Sequence, residues 1–288
     1  MSTIAIFGSR RQQPYLPQIE AFLGNVAAKG IRVLMHTKLY DHLAELAHHT
    51  LAGVERCSSA ETISADLAVS LGGDGTFLRT AQWVGPQGIP IVGVNTGHLG
   101  YLAALSIDRL PDLPELIAND AFVVEYRAML SVDSPDLPAG VGRYALNEIA
   151  LSKEESASMI YAAVSLDGEP LADYKADGLL VATPTGSTAY NLSVGGPIVQ
   201  PTVAVWVLSP VAAHSLSMRP MVVDARSKIS IIPSGRSPHV RLAIDGRSVI
   251  IENGTEICLS QAPFKLAVLQ LRDHTFADIL RRKLHWAE

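Results

Sequence analysis

The stretch DLAVSLGGDGTFLRTAQWV, residues 66–84, decides the fold. Its first six residues read as a strand whose apolar run is nearly continuous, and its last nine (76–84) carry the spacing of an amphipathic helix. Between them lies GGDGT (72–76). Gly72, Gly73 and Gly75 permit backbone angles closed to other residues and let another group approach the bare chain. Thr76 is expected to cap the following helix, whose free N–H groups and positive dipole end suit a phosphate. Asp74 stands at the tip of this turn, where an anion is a poor phosphate ligand. A carboxylate there makes sense if it accepts a proton or holds a metal ion beside phosphates. The plain alternative is a βα turn in which Asp and Gly supply only turn chemistry.

The same texture extends to both sides of this stretch. Apolar runs at 3–7, 31–35 and 89–94 alternate with helix-like segments at 15–29 and 41–52. Strands of this kind imply a parallel sheet covered on both faces, with ligands bound at the carboxyl ends of its strands. Beyond the Pro-interrupted segment 106–118 the pattern changes to strand after strand. Candidates are 122–132, 143–151, 159–166, 178–182, 203–208, 221–224, 228–232, 239–244, 248–252 and 264–271. Asp-Gly pairs at 167–168 and 245–246 mark hairpins. An amphipathic helix is expected over 275–286. The expected organisation is an α/β domain over 1–120 and a β-rich domain over 121–272, with the last helix (275–288) packed back on the first.

Composition narrows the function classes. Of the 288 residues 48% are apolar and 18% charged, so a sizeable core is available. No apolar run approaches the about 18 residues of a membrane span, and the start of the chain lacks the pattern of a secretory leader. Net charge is −5, without a basic run, which disfavours nucleic acid. Two distant cysteines, Cys57 and Cys258, fit a reducing compartment, so a cytoplasmic location is expected.

Three further stretches carry polar chemistry. In YALNEIAL (144–151), the neighbours Asn147 and Glu148 must point to opposite faces of a strand. Either one of them meets water or the strand end opens on a cleft. In VATPTGSTAYNLSVGGPIV (181–199), the hydroxyls of Thr183, Thr185, Ser187, Thr188 and Ser193 crowd with Tyr190 and three glycines. Such a loop can hydrogen-bond ribose or phosphate and pack a base on the phenol ring, whereas a plain helix start needs only one or two of these groups. In YKADG (174–178), Lys175 and Asp177 are ligand candidates or a charged turn. His98 and Tyr101 in GVNTGHLGYL (93–102) are loop candidates. His42, His48 and His49 read as a solvated helix face. No side chain is assigned as a metal ligand.

Taken together, GGDGT (72–76), GVNTGHLGYL (93–102), NE (147–148), DG (177–178) and TPTGSTAY (183–190), running on to GGP (195–197), resemble the NAD kinase family, bacterial type, in the family's own order. GGDGT alone is shared with lipid kinases and, more loosely, with phosphofructokinases. The resemblance implies a Rossmann-like, phosphofructokinase-like α/β N-terminal domain and a β-rich, sandwich-like C-terminal domain, with substrate in the cleft between them. It implies transfer of a phosphoryl group from ATP to the adenosine 2′-hydroxyl of NAD, with Asp74 as general base. It assigns Gly75 to a backbone contact, and Asn147, Glu148 and Asp177 to the ribose and adenine of NAD. Thr188, Ala189, Tyr190 and Ser193 would line the dinucleotide site, and Arg79, Ser158, Lys175 and Arg247 would add contacts. Family members often carry Arg at the position of Lys175 and Gln at that of Arg247. Gly72, Gly73 and Thr76 would form the phosphate-donor loop. A divalent cation, Mg²⁺, and a homodimer or homotetramer are implied as well. Two rival readings remain: a GGDGT-type lipid kinase working at a membrane surface, and a dinucleotide-binding sensor without turnover.

Overall fold

The computed structural model describes residues 1–9, 12–58, 61–97, 100–103, 105–154, 159–273 and 275–284. The chain divides into two compact units, Met1–Tyr126 with Leu266–Glu288, and Arg127–Lys265.

The first unit is built on strands β1 (Thr3–Gly8), β2 (Arg32–His36), β3 (Val54–Cys57), β4 (Leu67–Leu71), β5 (Ile91–Asn95) and the short β6 (Leu105–Ser106). Helices α1 (Leu16–Ala28), α2 (Thr37–Ala47) and α3 (Asp74–Val84) connect them, and α4 (Leu113–Ala118) follows. The strand order β5-β4-β1-β2-β3 is parallel throughout. β4 and β5 are buried along their whole length, as the unbroken apolar runs require of strands covered on both faces. Ile19, Phe22 and Val26 from α1 and Leu39 and Leu43 from α2 close the core over Ile4, Ile6, Val69 and Val92. The chain runs outward from β1 through β2 to β3, then returns to the other side of β1 for β4 and β5. The switch point therefore lies between β1 and β4, where an open α/β sheet binds its ligand.

In the second unit, β7 (Phe122–Asp133) enters, followed by β8 (Tyr144–Ala145), β9 (Glu148–Lys153), β10 (Ile160–Leu166), β11 (Glu169–Ala176) and β12 (Gly178–Ala182). A single turn of helix α5 (Tyr190–Ser193) precedes β13 (Val205–Val211), β14 (Met221–Asp224), β15 (Ile229–Gly235), β16 (His239–Ile244), β17 (Arg247–Glu252) and β18 (Ile257–Leu271). The order β14-β13-β12-β9-β16-β17 is antiparallel. A second antiparallel set joins β11, β10, β15 and the first residues of β18. The two sets share one core, in which Ile149, Leu179, Val181 and Trp206 of the first meet Ile160, Val164, Tyr174 and Ile231 of the second. That is a sandwich. The last residues of β18 pair parallel with β5 in the first unit's sheet, at Val268 and Ile91. Helix α6 (Phe276–Leu284) ends the described chain.

Several elements depart from the sequence reading. Helix α3 begins at Asp74, two residues before the expected start, and Gly73 takes the cap position with no side-chain cap bond. Thr76 is therefore a buried residue of the first turn and does not cap. Helix α2 starts at Thr37 and stops at Ala47, where His48 adopts positive φ. The expected single strand 143–151 is broken at Leu146–Asn147, and β18 begins seven residues earlier than expected. Both Asp-Gly hairpins form, each with positive φ at both residues.

Candidate active site

Three strand ends of the first unit converge on one cavity of about 450 Å³, lined by Ser9, Gly73, Gly75, Thr76, Arg79, Asn95, Thr96 and Gly97. It lies at the carboxyl ends of β1, β4 and β5, around the switch point. The glycines of GGDGT divide their labour. Gly72 has φ +150°, and a Cβ on it would press to 2.5 Å from Thr76 Oγ1, so its role is to make the turn. Gly73 faces open space, and the nearest atom to a Cβ on Gly75 is Arg79 at 4.0 Å, so both leave backbone bare at the start of α3. The guanidinium of Arg79 is exposed and donates to Thr76 Oγ1 at 3.2 Å.

Asp74 is the first residue of α3 and half-buried. Its carboxylate accepts hydrogen bonds from the backbone amides of Tyr101 (3.1 Å) and Leu102 (3.2 Å). A Cβ on Gly100 would fall inside the van der Waals envelope of Asp74 Oδ1. Gly93 plays a similar part beneath, since a Cβ there would meet the Ala103 Cα at 2.7 Å. The two glycine-bearing stretches seen in the sequence are thus one device, in which the second clamps the carboxylate offered by the first. A carboxylate fixed in this way has one oxygen geometry to present to a proton donor. His98 lies outside the described residues, and Tyr101 contributes its backbone amide.

In the second unit, Asn147 and Glu148 form a corner between β8 and β9. Their amides and that of Leu146 donate to the Asp245 carboxylate at 2.8, 3.1 and 2.8 Å respectively. The Asn147 carbonyl accepts the Thr183 amide at 2.8 Å, while Thr183 Oγ1 donates to the Leu146 carbonyl and accepts from the Gly186 amide. Gly186 packs so closely on the Asn147 carbonyl that no side chain fits there. The Tyr190 amide donates to the Glu148 carboxylate, whose other oxygen, Oε2, is buried without a partner. Burial, and then the nearby Asp245 charge, lift the Glu148 carboxyl to about 7, and burial lifts Asp245 to about 6. A carboxyl group poised near neutrality can donate or accept to a ligand hydroxyl.

The remaining candidates fall in two groups. Thr188 and Ala189 lie in the turn ahead of Tyr190, Thr188 Oγ1 reaching the Thr185 carbonyl at 3.4 Å, and Ser193 is exposed at the end of α5. Arg247, at the start of β17, is exposed and close enough to Asp245 to draw its pKa down. Lys175 and Asp177 lie elsewhere. Glu148 pairs with Ala182, whereas Gly178, next to Asp177, pairs with Ser152. At strand spacing that is about 13 Å away. There Asp177 forms a 2.8 Å ion pair with Lys153, and the Lys175 ammonium sits 5.5 Å from the Tyr161 ring centre. Ser158 lies outside the described residues.

Residues 14–122 match the model of the ATP-NAD kinase N-terminal domain, and residues 146–271 that of the ATP-NAD kinase C-terminal domain. An NAD kinase of Porphyromonas gingivalis is 40% identical over 99% of this chain and 98% of its own length. One of Bacteroides fragilis is 43% identical over 77% of each.

The chain belongs to the NAD kinase family.

As a member of the NAD kinase family it is a phosphotransferase acting on an alcohol group, and the lipid-kinase and sensor readings are not favoured. The fold agrees. A yeast NADH kinase, solved with NADH, matches with a TM-score of 0.86 at 23% identity, over 100% of this chain and 89% of that one. An NAD kinase from Archaeoglobus fulgidus, solved with ATP, matches at 0.72 and 26%, over 99% and 98%. Among the described residues, no helix is long and apolar enough to cross a membrane. Within this NAD kinase fold, sequence reasoning missed Ser9, Asn95 and Thr96 at the cavity, Gly100 behind Asp74, and Asp245 behind the Asn147–Glu148 corner. The order of strands puts the first three together. The others stand in recognisable stretches, GVNTGHLGYL and the Asp-Gly pair 245–246, but their role as supports carries no local signal, because their partners are 26 to 99 residues away.

Proposed function

We propose that the chain transfers the terminal phosphoryl group of ATP to the adenosine 2′-hydroxyl of NAD, giving NADP, with Asp74 as general base. The observation that carries this reading is the Asp74 carboxylate itself. It is clamped by two amides and set at the first turn of α3, flanked by the cavity residues Gly73 and Gly75. An alcohol is a poor nucleophile at neutral pH, and a positioned base contributes roughly 10²–10⁴ in rate.

The cavity suits the donor phosphates. The bare amides at the start of α3, its positive dipole end and Arg79 all favour an anion. Magnesium takes oxygen ligands and keeps waters beside substrate phosphates. The oxygen-bearing side chains of Ser9, Thr76, Asn95 and Thr96 fit that chemistry, with Asp74 between the lining residues Gly73 and Gly75. The donor's own phosphates would share the coordination. Bound there, the cation would neutralise phosphate charge.

Asn147, Glu148, Thr188, Ala189, Tyr190, Ser193 and Arg247 are read as the dinucleotide site, with the unpartnered Glu148 Oε2 aimed at a sugar hydroxyl. Asp177 and Lys175 are read as contacts to another part of the extended dinucleotide. The two compact units serve as the two domains, the enzyme is a homodimer or homotetramer, and its two unpaired cysteines suit the cytoplasm. Incubation with NAD, ATP and magnesium is the test, and NADP is the expected product. No NADP with any nucleoside triphosphate would overturn the reading.

A further inference from the structure

We infer that Asp245 is a positioning residue for the dinucleotide site: its carboxylate clasps the three consecutive amides of Leu146, Asn147 and Glu148 and so sets the corner that aims the Asn147 and Glu148 side chains. This rests on the reading of that corner as a substrate contact. The geometry is specific. Oδ1 accepts from both Asn147 and Glu148, Oδ2 accepts from Leu146, and the Asp245 amide donates back to the Glu148 carbonyl at 3.1 Å. The β16–β17 hairpin turn is thereby bolted to the break between β8 and β9, which a regular strand would not contain. Leu146 and Asn147 lie outside the strands, and a buried amide left without an acceptor is destabilising.

An ordinary turn role is separable from this one. Asp245 and Gly246 both have positive φ, the pattern of a two-residue hairpin turn that Asn-Gly makes at least as well. Asp245→Asn therefore keeps the turn and breaks the clasp, because its amide nitrogen must face one of the three N–H donors. Glu148 and Asp245 face each other, the Tyr190 amide faces Glu148, and Arg247 faces Asp245.

The test compares wild type, Asp245→Asn and Asn147→Ala as full chains. For Asp245→Asn the expected result is a KM for NAD raised about tenfold or more, the scale of one lost charge-assisted hydrogen bond. The KM for ATP stays near wild type, and the pH inflection in NAD affinity moves to lower pH, because Glu148 loses its negative neighbour. A KM for NAD that does not change, or an inflection that stays in place, overturns the assignment. Asn147→Ala separates the two levels of inference. If it leaves the KM for NAD unchanged, the corner is not a substrate contact; if it raises KM while Asp245→Asn does not, only the role of Asp245 fails. Should Asp245→Asn not fold, hydrogen exchange of the Leu146, Asn147 and Glu148 amides in wild type decides: protection of all three supports the clasp, and free exchange refutes it.

Discussion

Asp74 and Gly100 share one volume: the carboxylate of the first fills the space in which the second would carry a side chain. Twenty-six residues of chain separate them, including all of β5, yet the amides just after Gly100 are the ones that hold the carboxylate. The glycine is thus explained by contact.

Gly100→Ala is expected to push the Asp74 carboxylate out of its clamp. Overpacking of this kind costs about 1–3 kcal/mol, and displacement of a reacting group by about 1 Å can lower turnover about 10²-fold. Thermal unfolding together with kcat would show it. A variant with wild-type kcat would mean that the clamp is not needed.

Thr183→Val addresses the dinucleotide corner through packing alone. The hydroxyl it removes joins the Leu146 carbonyl to the Gly186 amide in a buried site, and valine keeps the volume. Two buried polar groups lose their partner, so a loss of about 2–4 kcal/mol is expected. Urea unfolding measures it, and a change below about 0.5 kcal/mol would show that other partners replace the hydroxyl.

Glu148→Gln is expected to stabilise the chain in alkaline solution. With its folded pKa lifted to about 7, the Glu148 carboxyl holds a proton in the native state that the unfolded chain has already released. Stability therefore falls as pH rises from the ordinary carboxyl range through about 7. Glutamine carries no such charge, so at pH 8 the variant should gain about 1–3 kcal/mol, and the gain should vanish near pH 5. Melting temperature against pH for both chains is the check. A gain that persists at pH 5 would assign the effect to something other than ionisation.

What could be read from the sequence follows from where each signal resides. Strands β1, β2, β4 and β5 announce themselves because both faces of their central residues are covered, which demands nearly continuous apolar runs. β3 (Val54–Cys57) does not, since it is an edge strand with Glu55 and Arg56 exposed between its inward ends. Asp-Gly reads as a turn, which sets the expected start of α3 two residues late, although here the pair begins the first helical turn. The break at Leu146–Asn147 could not be foreseen, because the acceptor for its amides is Asp245, almost a hundred residues on. The residue types of the site were visible as motifs, whereas the groups that hold them in place were visible only in three dimensions. Lys175 and Asp177 show the converse: they belong to the same motif set, yet the β9–β12 register puts them a strand's length from Glu148.

The base assignment is tested most directly by Asp74→Asn, comparing NAD binding by calorimetry with the steady-state rate of NADP formation. The expected result is NAD affinity near wild type and kcat lowered by about two orders of magnitude or more, the contribution of a positioned general base. A kcat within a few-fold of wild type would contradict it.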